Sequence, residues 1–223
     1  MVEKIKSGKL TFYFGIEQGS QEWLDLRADK VTCSNALTLL TRGKNFCKEA
    51  NLLSAKRMTP NGNSYAERGH VIEDEMREEF NEQLKKFGYK LVTCTFITHD
   101  DYPEAGYSPD GLIVPLDMEN WWEHDEFIPA EFKAYNDVTM RQNEKGEMVE
   151  VRTDKHAKAA KNFEEVPLVA RCQCQMEMLM TDAKQLCLLL ANPDAREGEP
   201  KTKVWWVERD EKVCQRLASK LIS

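Results

Sequence analysis

The 223-residue chain has no apolar run approaching the roughly 18 residues that a membrane-spanning helix needs. Lys4, Lys6 and Lys9 near the start are not followed by an apolar stretch, so no secretory signal is expected. Cysteine is never paired as C-x-x-C. Cys33, Cys47, Cys94, Cys172, Cys174, Cys187 and Cys214 are odd in number and irregular in spacing. That gives no support to a zinc, redox or iron–sulfur motif and reads as free, buried thiols in a reducing cytosol. An excess of positive charge is missing too: 31 Lys and Arg against 38 Asp and Glu leave a net charge of −7. A module that simply coats nucleic acid runs basic, whereas an enzyme with a local acidic metal site tolerates this balance. No internal repeat or low-complexity linker interrupts the chain. With 41% hydrophobic residues, residues 1–223 read as a single domain able to bury its own core.

What is present is an alternation of helical and strand patterns. Residues 10–16 read as a strand, and 20–27 as a helix with Ser20 as N-cap. A second helix starts at residues 32–34. Residues 42–57 are polar and basic and read as a loop. The longest helical pattern, 64–87, repeats Val71, Ile72, Met76, Phe80 and Leu84 at helical spacing. Strands are expected at 91–98, after the turn at 107–111, and at 127–133, with an acidic hairpin insertion carrying Trp121 and Trp122 at about 115–127. A short hairpin with its turn at 143–146 and a helix over 155–163 follow. Pro167 opens a helix reaching about Thr181, strands follow at 183–190 and 203–207, and residues 210–222 form a closing helix. The order implies an α/β fold, a mixed central β-sheet flanked by helices.

Two pieces carry the chemistry. In a strand Glu131 and Lys133 share one face and Phe132 takes the other. Ser108-Pro109-Asp110-Gly111 places Asp110 where a turn becomes the neighbouring strand. Glu-x-Lys alone is common at solvated strand edges, and Ser-Pro-Asp-Gly alone is a turn. Together they make an oxygen-rich pocket with one amine, the donor set that suits Mg²⁺. Glu73 on the long helix is either a further carboxylate or one exposed glutamate among several. His70 just before it reads as a surface or hydrogen-bonding histidine rather than a ligand. Gln173 and Gln175 are amides in an apolar helical stretch, so they need partners if buried.

These residues resemble phage lambda exonuclease and the YqaJ-type viral recombinases. The resemblance lies in the run from Gln18 through Trp23 and Arg27 to Ser34, in Gly69 to Glu73, in Ser108 to Gly111, in Glu131 to Lys133, and in Gln173 and Gln175, over about residues 17–190. It implies a restriction-endonuclease-like fold with a PD-(D/E)xK core. It also implies a Mg²⁺-dependent 5′→3′ exonuclease on linear double-stranded DNA with a two-metal mechanism, Mn²⁺ substituting for Mg²⁺. The enzyme would leave 3′ single-stranded tails for a phage single-strand annealing protein, act as a toroidal homotrimer, and work in the cytosol of a bacterial host, phage or prophage encoded. By the same resemblance Asp110, Glu131, the Phe132 carbonyl and Glu73 hold metal. Lys133 is the catalytic lysine, Gln175 the active-site glutamine and Gln173 its companion. Arg27, Ser34 and Ser108 hold the 5′-phosphate.

The segments between Asp110 and Glu131 and between Lys133 and Gln175 are longer than that pattern, which bears on subunit contacts. Lys155, Lys158 and Lys161, with the basic stretch at 42–57, are the candidates for tracking DNA phosphates. Two rivals remain from the sequence. One is another nuclease of the same core, single-strand-specific or endonucleolytic, of the RecB or Cas4 kind. The other is a non-catalytic DNA-binding recombination protein.

Overall fold

The computed structural model describes residues 3–57, 64–124, 126–134, 138–142, 148–152, 165–192, 197–198 and 201–222. The chain opens with a hairpin of β1 (Glu3–Ser7) and β2 (Leu10–Phe14). Gly8, at φ 53°, takes the first position of its two-residue turn, where a left-handed backbone favours glycine. Helix α1 (Gln21–Ala28) starts as expected, with Ser20 Oγ accepting the Trp23 N–H at 3.2 Å.

Strand β3 (Val31–Thr32) leads into a 3₁₀ turn, Cys33–Asn35, and then α2 (Ala36–Arg42). The basic stretch that follows is not a loop. It forms α3 (Lys44–Arg57), and Lys44 and Lys48, one helical turn apart, both bind Glu104 at 2.6 and 2.7 Å. These two lysines are therefore bound in ion pairs to Glu104 rather than available as free phosphate contacts.

Helix α4 (Ser64–Lys85) is followed by β4 (Tyr89–Val92) and β5 (Phe96–His99). The expected single strand over 91–98 is broken, because Thr95 turns away to bond Tyr13 and Ile16 carbonyls in the N-terminal region. Strand β5 pairs with β2, while β4 joins the central sheet. Strand β6 (Ala105–Gly106) pairs with β3, and β7 (Gly111–Pro115) and β8 (Ile128–Ala134) form the antiparallel pair around the acidic insertion. That insertion is not a solvent-exposed tip throughout. Trp121 is 3% exposed and packs edge-on against Phe12 and Phe127.

The expected short hairpin is present as β9 (Val138–Gln142) and β10 (Met148–Arg152). Its turn and the helix expected at 155–163, with Lys155, Lys158 and Lys161, lie outside the described residues. Helix α5 (Leu168–Thr181) begins after Pro167. Strands β11 (Gln185–Ala191) and β12 (Thr202–Glu208) follow. Helix α6 (Glu211–Ile222) closes the chain, with Asp210 Oδ1 accepting the N–H groups of Lys212 and Val213.

The central sheet has the order β12-β11-β8-β7-β4, with β11 parallel to β8 and the other pairs antiparallel. It is the mixed, helix-flanked sheet expected from the sequence. Met76, Phe80 and Leu84 of α4 cover one face with Ile113, Phe132, Cys187 and Leu189. Cys174 and Met178 of α5 cover the other with Leu186, Leu188 and Leu190. The strict alternation along β11 shows how period two assigns each residue to a layer. All seven cysteines are free and buried, as expected. Among the described residues no helix is long and apolar enough to cross a membrane.

Candidate active site

Strand alternation sends Phe132 into the α4 layer, where its ring meets Phe80 at 6.0 Å. Glu131 and Lys133 therefore face α5. Because Gly111 stands opposite Ala130, Asp110 arrives beside Glu131 at the end of β7. Asp110 Oδ2 accepts the Phe132 N–H at 3.0 Å, which fixes its carboxylate to the neighbouring strand. The Lys133 ammonium binds Glu131 Oε1 directly. From α5, Gln173 Nε2 donates to the same Oε1 at 2.5 Å and to Glu177 Oε1 at 2.8 Å. Tyr107, fully buried, brings its hydroxyl to Glu177 Oε2 at 3.4 Å.

Three carboxyls, Asp110, Glu131 and Glu177, thus share one buried pocket with Lys133. Burial, and then the charge of Glu131, raises Asp110 far above the usual carboxylate range. Burial and then Glu177 do the same to Glu131. Burial also raises Glu177. Lys133 is the converse case. Burial works to lower it, but the charges of Glu131 and Asp110 outweigh that and hold it well above its ordinary value. Once all three carboxyls are ionised, the single charge of Lys133 does not offset them, and a divalent cation that displaces their protons meets that demand. No set of three or more Asp, Glu, His or Cys side chains among the described residues forms a ready cage. Mg²⁺ does not need one. It is usually held by one or two carboxylates, with water and substrate phosphate completing the shell. Asp110 and Glu131 fit that description.

The same cleft, about 300 Å³, continues to Arg27, Ser34 and Ser108. Arg27 projects from the end of α1, its guanidinium 4.1 Å from the Trp23 ring centre, and Nη1 donates to Ser108 Oγ at 3.0 Å. Burial lowers its pKa, yet a guanidinium stays charged in proteins. Ser34 Oγ lies 3.1 Å from Thr32 Oγ1 at the start of the 3₁₀ turn.

The expected residues do not all converge. Gln175 is not in the cleft. Its Nε2 donates to the Glu208 carbonyl at 2.9 Å and its Oε1 accepts the Asp210 N–H at 2.7 Å, so it ties α5 to the junction of β12 and α6. Two residues along a helix are about 200° apart, so Gln173 and Gln175 cannot both face β8. Helical spacing pairs Gln173 with Glu177 instead. Glu177 was missed as a site residue for want of that step. Glu73 belongs to α4 by its backbone, and its side chain and that of His70 are outside the described residues.

A mixed sheet carrying an aspartate and a Glu-x-Lys on adjacent strands is the arrangement of the restriction-endonuclease-like fold. The sequence profile of the YqaJ-like viral recombinase domain matches residues 22–184, a span that contains every site residue named above, and the chain belongs to that family. Two solved structures share its fold. An alkaline exonuclease (LHK-Exo) from Laribacter hongkongensis is 17% identical, with a TM-score of 0.61 over 91% of this chain and 89% of that one. LHK-Exo in complex with dAMP gives 16% identity and a TM-score of 0.62 over the same shares, 91% and 89%. Comparison with the curated protein sequences gives no match.

Proposed function

We propose that the protein is a Mg²⁺-dependent exonuclease that degrades the 5′-ended strand of linear double-stranded DNA and leaves 3′ single-stranded tails. The observation that carries this reading is the single cleft that joins Asp110, Glu131 and Lys133 to the Arg27–Ser108 pair. A guanidinium beside a hydroxyl binds a terminal phosphate through parallel charge-assisted hydrogen bonds. A terminal monoester carries more charge than an internal diester, so this corner favours a strand end over a strand interior.

Asp110, Glu131 and the Phe132 carbonyl would hold Mg²⁺, which would supply a Lewis acid and lower the pKa of the attacking water. Lys133 places its positive charge beside Glu131, where it orients the water and offsets charge developing on the scissile phosphate. Gln173 locks the Glu131 carboxylate, and Glu177, itself held by the Tyr107 hydroxyl, locks Gln173. Each cut exposes a new 5′-phosphate, which re-engages Arg27 and draws the strand forward. The sequence carries no recognition motif for base readout, so little sequence specificity is expected. Mn²⁺ would substitute for Mg²⁺, Glu73 would supply a carboxylate for a second ion, and Lys155, Lys158 and Lys161 would contact the duplex backbone. The 3′ tail is the substrate of a single-strand annealing protein, and the enzyme encircles DNA as a trimer in the cytosol of a phage-infected or lysogenic cell.

The test is digestion of three end-labelled substrates with Mg²⁺: linear duplex, closed circular duplex and single strand. Rapid release of mononucleotides from the 5′ ends of the linear duplex alone is expected. Nicking of the circle, or loss of the 3′ label first, defeats the proposal.

A further inference from the structure

Asp110 lines a second cavity. This space, about 260 Å³, shares Asp110 and Gln18 with the catalytic cleft and is lined by none of Arg27, Ser34 and Ser108. Its cation is Arg77 of α4. Arg77 Nε donates to the Asp110 carbonyl at 3.0 Å, and its guanidinium stands 5.8 Å from the Phe132 ring centre. Nη1 is held by Asp74 at 2.6 Å, and a guanidinium has further donors beyond those two. The remaining wall offers Phe14 and the segment containing Thr93 and Thr95. The Phe14 ring is braced edge-on by Trp121 and Trp122 at 6.3 and 5.8 Å, so the acidic insertion holds this wall in place.

The geometry points to a subsite for the nucleotide that follows the scissile phosphodiester, with that nucleotide's 3′-phosphate on Arg77 and its base against Phe14. The assignment rests on the 5′→3′ reading above. With the terminal phosphate on Arg27 and the scissile phosphate at Asp110 and Glu131, the strand must continue past Asp110, and this cavity is the adjoining space. Its chemistry is that of a nucleotide site. It has a guanidinium for a phosphate, an aromatic face on which any base can stack, and hydroxyl and amide groups for the sugar edge. Each of the two cavities that share Asp110 thereby has its own arginine, one reading the end of the strand and one reading its continuation. Gripping the phosphates that precede and follow the scissile one holds the scissile bond in register.

Equilibrium binding tests the subsite without turnover. The ligand is a 5′-phosphorylated trinucleotide whose second linkage is either a natural phosphodiester or an uncharged methylphosphonate, and the protein is full-length Lys133→Ala with Mg²⁺. The natural ligand is expected to bind about tenfold more tightly, the size of one charge-assisted hydrogen bond. Adding Arg77→Ala removes that preference. Adding Arg77→Lys, which keeps the charge if the alanine variant folds poorly, retains part of it, and adding Arg27→Ala leaves it intact. Equal binding of the two ligands by the parent protein, or an undiminished preference after Arg77→Ala, overturns the subsite. Wild-type digestion of linear duplex is measured alongside. Its absence defeats the exonuclease reading, whereas the binding preference reports on Arg77 alone.

Discussion

Arg27 donates to Ser108 across 3.0 Å, and Ser108 stands two residues before Asp110. The end of α1 is therefore tied to the turn that delivers the Asp110 carboxylate to the cleft. Arg27→Ala is expected to slow digestion of 5′-phosphorylated duplex by roughly ten- to a hundredfold, the range of a charge-assisted pair, and to slow 5′-hydroxyl duplex far less. Arg27→Lys restores part of the difference, because it keeps the charge and loses the fork. Initial rates on the two substrates check this. If wild type shows no preference for the phosphorylated end, Arg27 does not anchor it.

On the proposed mechanism Asp110, Glu131 and Lys133 serve one water and one phosphate. Each single alanine variant is expected to lose activity by roughly a thousandfold or more, and the triple variant to lose little beyond that, since residues working as a unit are not additive. Ca²⁺, with its larger and looser shell, should support DNA binding and little cleavage. Single-turnover rates with each variant and each metal decide it. One alanine variant near wild-type rate would remove that residue from the mechanism.

The two glutamines of α5 separate chemistry from stability. Gln173→Ala frees Glu131 Oε1 from one of its two donors, so the rate falls while duplex binding is kept. Gln175→Ala strands the Glu208 carbonyl and the Asp210 N–H, so the fold loses about 2 kcal/mol while the rate of folded enzyme is kept. Thermal unfolding and kcat measured on both variants would show the crossing pattern. A Gln175→Ala variant of full stability and lost activity would reverse the two roles.

Much of this was legible in the sequence because periodicity fixes direction. Period two placed Glu131 and Lys133 together and Phe132 opposite, and the helical repeat of Met76, Phe80 and Leu84 marked the α4 face. Three of the failures share one cause, long-range partners. Residues 44–57 look like a polar loop until Glu104 is brought to Lys44 and Lys48. Thr93 and Thr95 prolong a β-branched run, and no local rule reveals that Thr95 bonds back to Tyr13 and Ile16. Trp121 reads as an exposed tip because its neighbours are acidic, yet Phe12 and Phe127 are waiting for it. Gln175 was assigned to the cleft by resemblance, where the helical period alone pairs Gln173 with Glu177.

The buried carboxyls make metal binding depend on pH in a definite direction. Burial and then Glu131 lift Asp110 to about 8, and burial and then Glu177 lift Glu131 to about 8. In the unfolded chain both titrate near 4, as ordinary carboxyls do. Between those limits the metal-free fold holds protons that the unfolded chain has released, so its stability falls as pH rises from roughly 4 to 8. A divalent cation competes for the same oxygens and must displace those protons, so its affinity rises over the same interval. The rise in Tm on adding Mg²⁺ is therefore expected to be larger at about pH 8.5 than at about pH 6.5, with proton release on binding that shrinks as pH increases. Asp110→Asn removes one of the titrating carboxyls and should flatten both trends. Calorimetry in two buffers of different ionisation enthalpy measures the protons directly. A Mg²⁺ effect on Tm that is equal at both pH values would show that these carboxyls are already ionised without metal.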